Sequence, residues 1–141
     1  MKFTELDLTP EVLRGIEETG FTELTPVQQE SIPLALQGKD VAAQAQTGTG
    51  KTAAFLISLF SKLLSSGRAT SNNPRALIMA PTRELVVQIC NDAENLGKYT
   101  GLRVQPIFGG MDYEKQRQAL KDGVDIIVAT PGRLIDYYKQ R

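Results

Sequence analysis

Eight consecutive residues, Ala45-Gln46-Thr47-Gly48-Thr49-Gly50-Lys51-Thr52, constrain this chain more than anything else in it. Gly48 and Gly50 admit positive φ and let the main chain approach a ligand, so successive N–H groups can turn inward toward oxyanions. Lys51 would reach the β- and γ-phosphates of a nucleotide as a point charge. Thr52 would offer its hydroxyl to Mg²⁺, and a helix starting there adds the positive end of its dipole. The usual pattern opens with glycine, so Ala45 makes this a variant phosphate loop. An ordinary glycine-rich turn is the plain alternative, but a turn needs neither the lysine nor the threonine.

Such a loop belongs between a strand and a helix. Residues 41–43 are apolar and come after the turn signal Gly38-Lys39-Asp40, while residues 53–64 are apolar with helical spacing. Elsewhere helix and strand signals alternate. Thr9-Pro10 opens a helix to about Thr19, and Thr25-Pro26 opens another toward Leu36, with threonine as cap and proline in the first turn. Strands are expected at 41–44, 76–80, 104–108 and 125–129, and helices at 51–65, 83–98 and 113–121. Short apolar strands with helical crossovers mean an α/β fold, a parallel sheet with helices on both faces. Residues 65–74 are rich in Ser, Asn and Gly and read as a connection.

Composition narrows the function classes. At 141 residues and 41% apolar there is chain for one domain. Sixteen basic residues balance sixteen acidic ones, so any grip on nucleic acid must be local rather than diffuse. The absence of histidine excludes Ser-His or Cys-His nucleophilic chemistry and a histidine metal site. Cys90 is the sole cysteine and sits in an apolar, helix-like stretch, so a buried inert thiol is expected. The N-terminus lacks a signal-peptide pattern, and the apolar runs are far shorter than the ~20 residues that span a bilayer. A cytoplasmic protein with no membrane segment is the default expectation.

In an open parallel sheet, ligands gather beyond the carboxyl ends of the strands. The segments just beyond the expected strands therefore carry the functional signal: first the phosphate loop, then Pro81-Thr82-Arg83-Glu84, then Gly109-Gly110, then Thr130-Pro131-Gly132-Arg133. Helix N-termini with threonine hydroxyls and free amides bind anions, so a row of them could track successive phosphates of a polynucleotide. Taken singly, each segment also reads as ordinary capping and turn chemistry. Gln28 is similarly open. It lies three residues after Thr25, the capping-box spacing, and could bond back to the helix start. Alternatively its amide could grip adenine N6 and N7, with Phe21 stacking on the base.

In order, Phe21 with Thr25-Pro26-Val27-Gln28, then residues 45–52, Pro81-Thr82-Arg83-Glu84-Leu85, Gly109-Gly110 and Thr130-Pro131-Gly132-Arg133 resemble the motifs of DEAD-box RNA helicases. The Ala45 variant is the form that family uses. The match covers nearly the whole chain. Residues 74–80 and 132–140 look most like the bacterial branch associated with the RNA degradosome.

The resemblance implies part of an N-terminal RecA-like P-loop domain over 1–141, with a Q-motif region at 1–38 and phosphate-loop and RNA-binding motifs at 39–141. It implies that Phe21 and Gln28 select adenine. Ala45, Gln46, Thr47, Gly48, Thr49, Gly50, Lys51 and Thr52 would bind ATP, with Lys51 stabilising charge and Thr52 on Mg²⁺. Pro81, Thr82, Arg83, Gly109, Gly110, Thr130, Pro131, Gly132 and Arg133 would contact the RNA sugar-phosphate backbone, which carries no base code.

By the same analogy the chain ends before the Asp-Glu-Ala-Asp strand and the Ser-Ala-Thr segment, and lacks the second RecA-like domain. Those parts supply the magnesium-holding carboxylate, the water-positioning acid and the arginine finger. The expected function is ATP-dependent unwinding of short RNA duplexes by the complete parent, with a degradosome ribonuclease as partner through the absent domain. For these residues alone the expectation is nucleotide and RNA binding without turnover. A monomer is expected, with a sheet edge open to self-association. A P-loop enzyme unrelated to RNA, such as a small kinase, would need an acceptor site and a lid that this sequence does not offer.

Overall fold

Threonine-proline pairs start the first two long helices, as the sequence predicts. The computed structural model describes residues 2–44, 50–65, 73–110 and 113–139. Helix α1 is Pro10–Glu18 with Thr9 at its N-cap, and α2 is Pro26–Leu36 with Thr25 at its N-cap. Among the described residues neither threonine hydroxyl has a hydrogen-bond partner, although the Gln28 side of the capping box at Thr25 is made. Proline at the first helical position, with φ preset and no N–H to satisfy, starts these helices without a bond to the hydroxyl. A short 3-10 turn, Phe3–Glu5, precedes them, and Lys2 pairs with Glu23 in an isolated antiparallel bridge. No sequence signal announces either feature.

The remaining elements are α3 at Lys51–Ser65, β1 at Ala76–Met79, α4 at Arg83–Leu96, β2 at Val104–Ile107, α5 at Tyr113–Asp122, β3 at Ile126–Ala129 and α6 at Pro131–Lys139. The chain divides into two compact units, Met1–Arg68 with Asp92–Gly101 and Ala69–Asn91 with Leu102–Arg141, the division falling inside α4.

In the first unit, α1 and α2 pack on α3. Val12, Ile16, Ile32, Leu56, Ile57 and Phe60 are fully buried there, each worth about 1.5–3 kcal/mol in surface removed from water. Gly15 lets α1 cross the end of α4 closely: a Cβ added to it would lie 2.0 Å from the Leu96 carbonyl oxygen. Beside that crossing, Tyr99 donates a hydrogen bond to Glu18 and lies under the Arg14 guanidinium at 4.1 Å. The Tyr99 bond, then Lys98, holds the Glu18 carboxyl below its ordinary pKa.

The second unit is built on a parallel sheet in the order β1-β3-β2. Central β3 is buried at all four positions, as a strand covered on both faces must be. Ile107, Val124, Ile127 and Ala129 form an apolar cluster joined by Leu120, Leu134 and Tyr137. At the amino ends of the strands, the buried carboxylate of Asp125 accepts from the Arg103 backbone N–H at 2.8 Å and from its guanidinium at 3.3 Å. Burial alone would raise the Asp125 pKa; the Arg103 hydrogen bonds and positive charge outweigh it and lower it. Strand β1 is an outer strand of this sheet, with Leu77 and Met79 about half exposed.

One expected strand is not formed. Residues 41–44 carry no ladder and all four are exposed. A strand needs a partner, and among the described residues none pairs with them; two alanines, weak strand formers, do not favour the extended form alone. The other expected strands and helices are present, with ends within two residues of the expected ones. Cys90 is buried.

Candidate functional site

The first unit brings the start of α2 against the start of α3 through one side chain. Gln28 is 3% exposed. Its Oε1 accepts from the Thr25 backbone N–H at 2.9 Å, and its Nε2 donates to the Gly50 carbonyl at 3.2 Å. These partners fix which end of the amide is oxygen, because an N–H must meet an acceptor and a carbonyl a donor. The same Gly50 carbonyl accepts from the Ala54 N–H at 3.0 Å, the first bond of α3.

Glycine is strongly favoured at position 50. Its φ is +92°, and an added Cβ would lie 2.4 Å from Gln28 Nε2 and 3.1 Å from the Thr25 hydroxyl. Lys51 comes next as the exposed first residue of α3, and Thr52 is half-buried behind it. The amides of this first turn have no intrahelical acceptor and face whatever lies before the helix. The expected contacts at Ala45, Gln46, Thr47, Gly48 and Thr49 lie outside the described residues. Phe21 is 45% exposed, with one side of its ring stacked on Phe3 at a centroid distance of 6.5 Å and an angle of 25°. That backing from Phe3 leaves an aromatic face able to take a planar ligand.

The second unit brings the remaining candidates to one edge. In register, Met79 of β1 and Ile107 of β2 both pair with Ala129 of β3, so the chain leaves all three strands at the same level. Two bonds hold those exits together: Ala80 N–H to Ala129 carbonyl and Thr130 N–H to Ile107 carbonyl, each 3.0 Å. Pro81, Thr82 and Arg83 lie beyond β1, Gly109 and Gly110 beyond β2, and Thr130, Pro131, Gly132 and Arg133 beyond β3. Apart from Thr130 and Arg133, which are half-buried, these residues are exposed.

Two helices begin on this edge. The Thr82 hydroxyl accepts from the Leu85 N–H at 3.2 Å, capping α4. The Thr130 carbonyl accepts the first bond of α6, from Leu134 at 3.3 Å. The first-turn N–H groups and the dipoles of both helices give the edge a positive character that suits anions. Of the glycine pair, Gly110 has the backbone that favours glycine: its φ is +91°, and the Arg83 guanidinium, 2.6 Å from where a Cβ would stand, would have to swing aside. Gly109 and Gly132 have open space where a side chain would be.

Sequence reasoning missed two residues beneath this edge. Gln116, 1% exposed, donates from Nε2 to the Phe108 carbonyl at 3.1 Å and accepts from the Tyr137 hydroxyl at 3.2 Å. The Arg133 guanidinium carbon lies 5.9 Å from the centre of the Tyr137 ring. Gln116 lies in no motif, and Tyr137 falls only within the 132–140 stretch, with no role assigned to it. A glutamine on a helix whose other residues are mostly charged or polar is the only signal available, and it names no partner.

Known proteins share this arrangement. Residues 25–141 match the family model described as DEAD/DEAH box helicase. The ATP-dependent RNA helicase RhlB of Pectobacterium carotovorum is 55% identical over an alignment covering 99% of this chain and 33% of that protein. The RhlB of Pseudoalteromonas atlantica is 53% identical, over 98% of this chain and 33% of its own length. The RhlB of Xanthomonas campestris is 52% identical, with 99% of this chain and 25% of its length covered. The chain thus spans a quarter to a third of the length of these curated relatives. Among solved structures, a hypothetical ATP-dependent RNA helicase from Sulfolobus tokodaii superposes with a TM-score of 0.83 at 37% identity, covering 94% of this chain and 37% of that one.

Proposed function

This chain belongs to the DEAD/DEAH box helicase family, and from that premise we propose that it is the ATP-binding and RNA-binding first domain, RecA-like in fold, of an ATP-dependent RNA helicase. Turnover and duplex unwinding are proposed for the full-length protein; binding alone is proposed for these residues.

One observation carries the nucleotide half. A primary amide has two donor hydrogens and two acceptor positions. In Gln28 one donor and one acceptor are spent on Gly50 and Thr25. One of each remains, which is what the N6 and N7 edge of adenine requires and what guanine would mismatch. The capping and adenine-reading roles are therefore compatible, and the capping bond orients the amide for the other. Phe21 would stack on the base, and residues 45–52 would cradle the phosphates. Lys51 would counter charge developing on the transferred phosphoryl group. The residues present suit a magnesium ion, since Thr52 offers a half-buried hydroxyl beside Lys51. When bound, that ion would neutralise phosphate charge.

The RNA half rests on the strand edge. Exposed main-chain amides, two helix starts and Arg83 favour backbone phosphates, with affinity falling as salt rises. A cytoplasmic protein of RNA turnover with a ribonuclease partner is proposed for the full-length protein from the resemblance of residues 74–80 and 132–140 to the degradosome-associated branch. Lys51→Ala in the full-length protein tests the whole reading. RNA-stimulated ATP hydrolysis should fall at least about a hundredfold with folding intact. Turnover near the wild-type rate would overturn it.

A further inference from the structure

Gln116 sits below the strand edge, and its two hydrogen bonds join two of the segments expected to meet RNA. Its amide nitrogen donates to the carbonyl of Phe108, the residue before Gly109-Gly110. Its amide oxygen accepts from Tyr137 on α6, the helix whose first turn contributes Pro131, Gly132 and Arg133. Tyr137 in turn packs on the cluster of Ile107, Val124, Ile127 and Ala129 and carries the Arg133 guanidinium near its ring.

Apolar packing alone does not fix such a register. Hydrophobic contact is non-directional, so the packing of α6 on that cluster sets its rotation less closely than a hydrogen bond does. A hydrogen bond has a preferred length and angle, and a buried amide that loses either partner is left unsatisfied. Gln116 therefore links the residue before the glycine turn to the later part of α6, and through that rigid helix to its first turn, using its donor and acceptor in opposite directions to do so. A leucine or methionine would fill the volume without setting the spacing.

We infer that Gln116, with Tyr137, is a positioning residue for the RNA grip: it holds the Gly109-Gly110 turn and the first turn of α6 at the separation a sugar-phosphate backbone needs. The inference rests on the RNA-edge reading proposed above.

Gln116→Met, Tyr137→Phe and the double variant, made in the full-length protein, test it. Single-stranded RNA affinity would be measured by fluorescence anisotropy over a salt series, with ATP affinity and thermal midpoint alongside. Each single variant should bind RNA about five- to tenfold more weakly, the worth of one bridging hydrogen bond. The double should be no weaker than the worse single, since both cut one bridge. ATP affinity should stay put. The salt slope should also stay put because no phosphate contact is removed, whereas Arg83→Ala should flatten it.

RNA affinity within twofold of wild type in both single variants would overturn the inference. So would parallel losses of RNA and ATP affinity that track a falling thermal midpoint, the mark of a merely structural role. If Gln116→Met fails to fold, Tyr137→Phe, which removes only a hydroxyl, decides alone. A wild-type protein that does not bind RNA would defeat the RNA-edge reading itself, and the inference with it. Wild-type binding with unaffected variants would defeat only the inference.

Discussion

Each candidate region is organised by a buried glutamine, but the two amides do opposite jobs. At the nucleotide corner, Gln28 is the group proposed to read the ligand, and it is pinned by Thr25 and Gly50. At the strand edge, the groups proposed to meet the ligand are mostly exposed, and Gln116 supports them from below. The difference comes from what each region must recognise. Telling adenine from guanine needs one donor and one acceptor held at fixed angles, so the reader itself is rigid. Gripping a backbone needs only amides and positive charge at a set spacing, so rigidity is moved underneath.

The sharpest way to break the nucleotide corner is Gly50→Ala. Its strained φ and the clash with Gln28 would displace the amide and the start of α3 together. ATP affinity should fall about a hundredfold in an equilibrium titration, while RNA affinity changes far less. Equal losses of both would erase the contrast between the regions.

A smaller effect is expected from Asp125→Asn, at the opposite ends of the strands from the RNA edge. It should cost about 1–3 kcal/mol in urea unfolding near neutral pH, by unbalancing the bonds from Arg103. The folded-state pKa of Asp125 is lowered, so its contribution is fully present above the ordinary aspartate value. It is lost as pH falls through the lower folded value. The gap between wild type and variant should therefore close in acid. A gap constant down to strongly acidic pH would show that the charge of Asp125 is not what stabilises the sheet.

Much of this architecture was legible in the sequence because its signals are local. Thr-Pro pairs marked two helix starts, and short runs rich in apolar residues marked β1, β2 and β3. The placement of Pro81, Gly110 and Thr130 on one edge came from parallel topology alone. The hidden part depends on contacts between distant residues. Gln28 could be read as a cap or as a base reader, but its bond to Gly50, 22 residues away, is visible only in three dimensions. The link from Gln116 to Tyr137, 21 residues apart, has no motif to announce it. Asp125 stands at a strand start, where the sequence offers it no role; its pairing with Arg103 makes it a structural clamp. Residues 41–44 misled in the other direction, since apolar composition suggested a strand where no partner strand exists among the described residues.

The central claim is that the Gln28 amide, oriented by Thr25 and Gly50, selects adenine. Affinities for ATP and GTP, measured on full-length wild type and Gln28→Ala, address it most directly. The account predicts a clear wild-type preference for ATP that shrinks about tenfold or more in the variant, chiefly through weaker ATP binding. An ATP-to-GTP ratio left unchanged by the substitution would contradict it, and would reduce Gln28 to a helix cap.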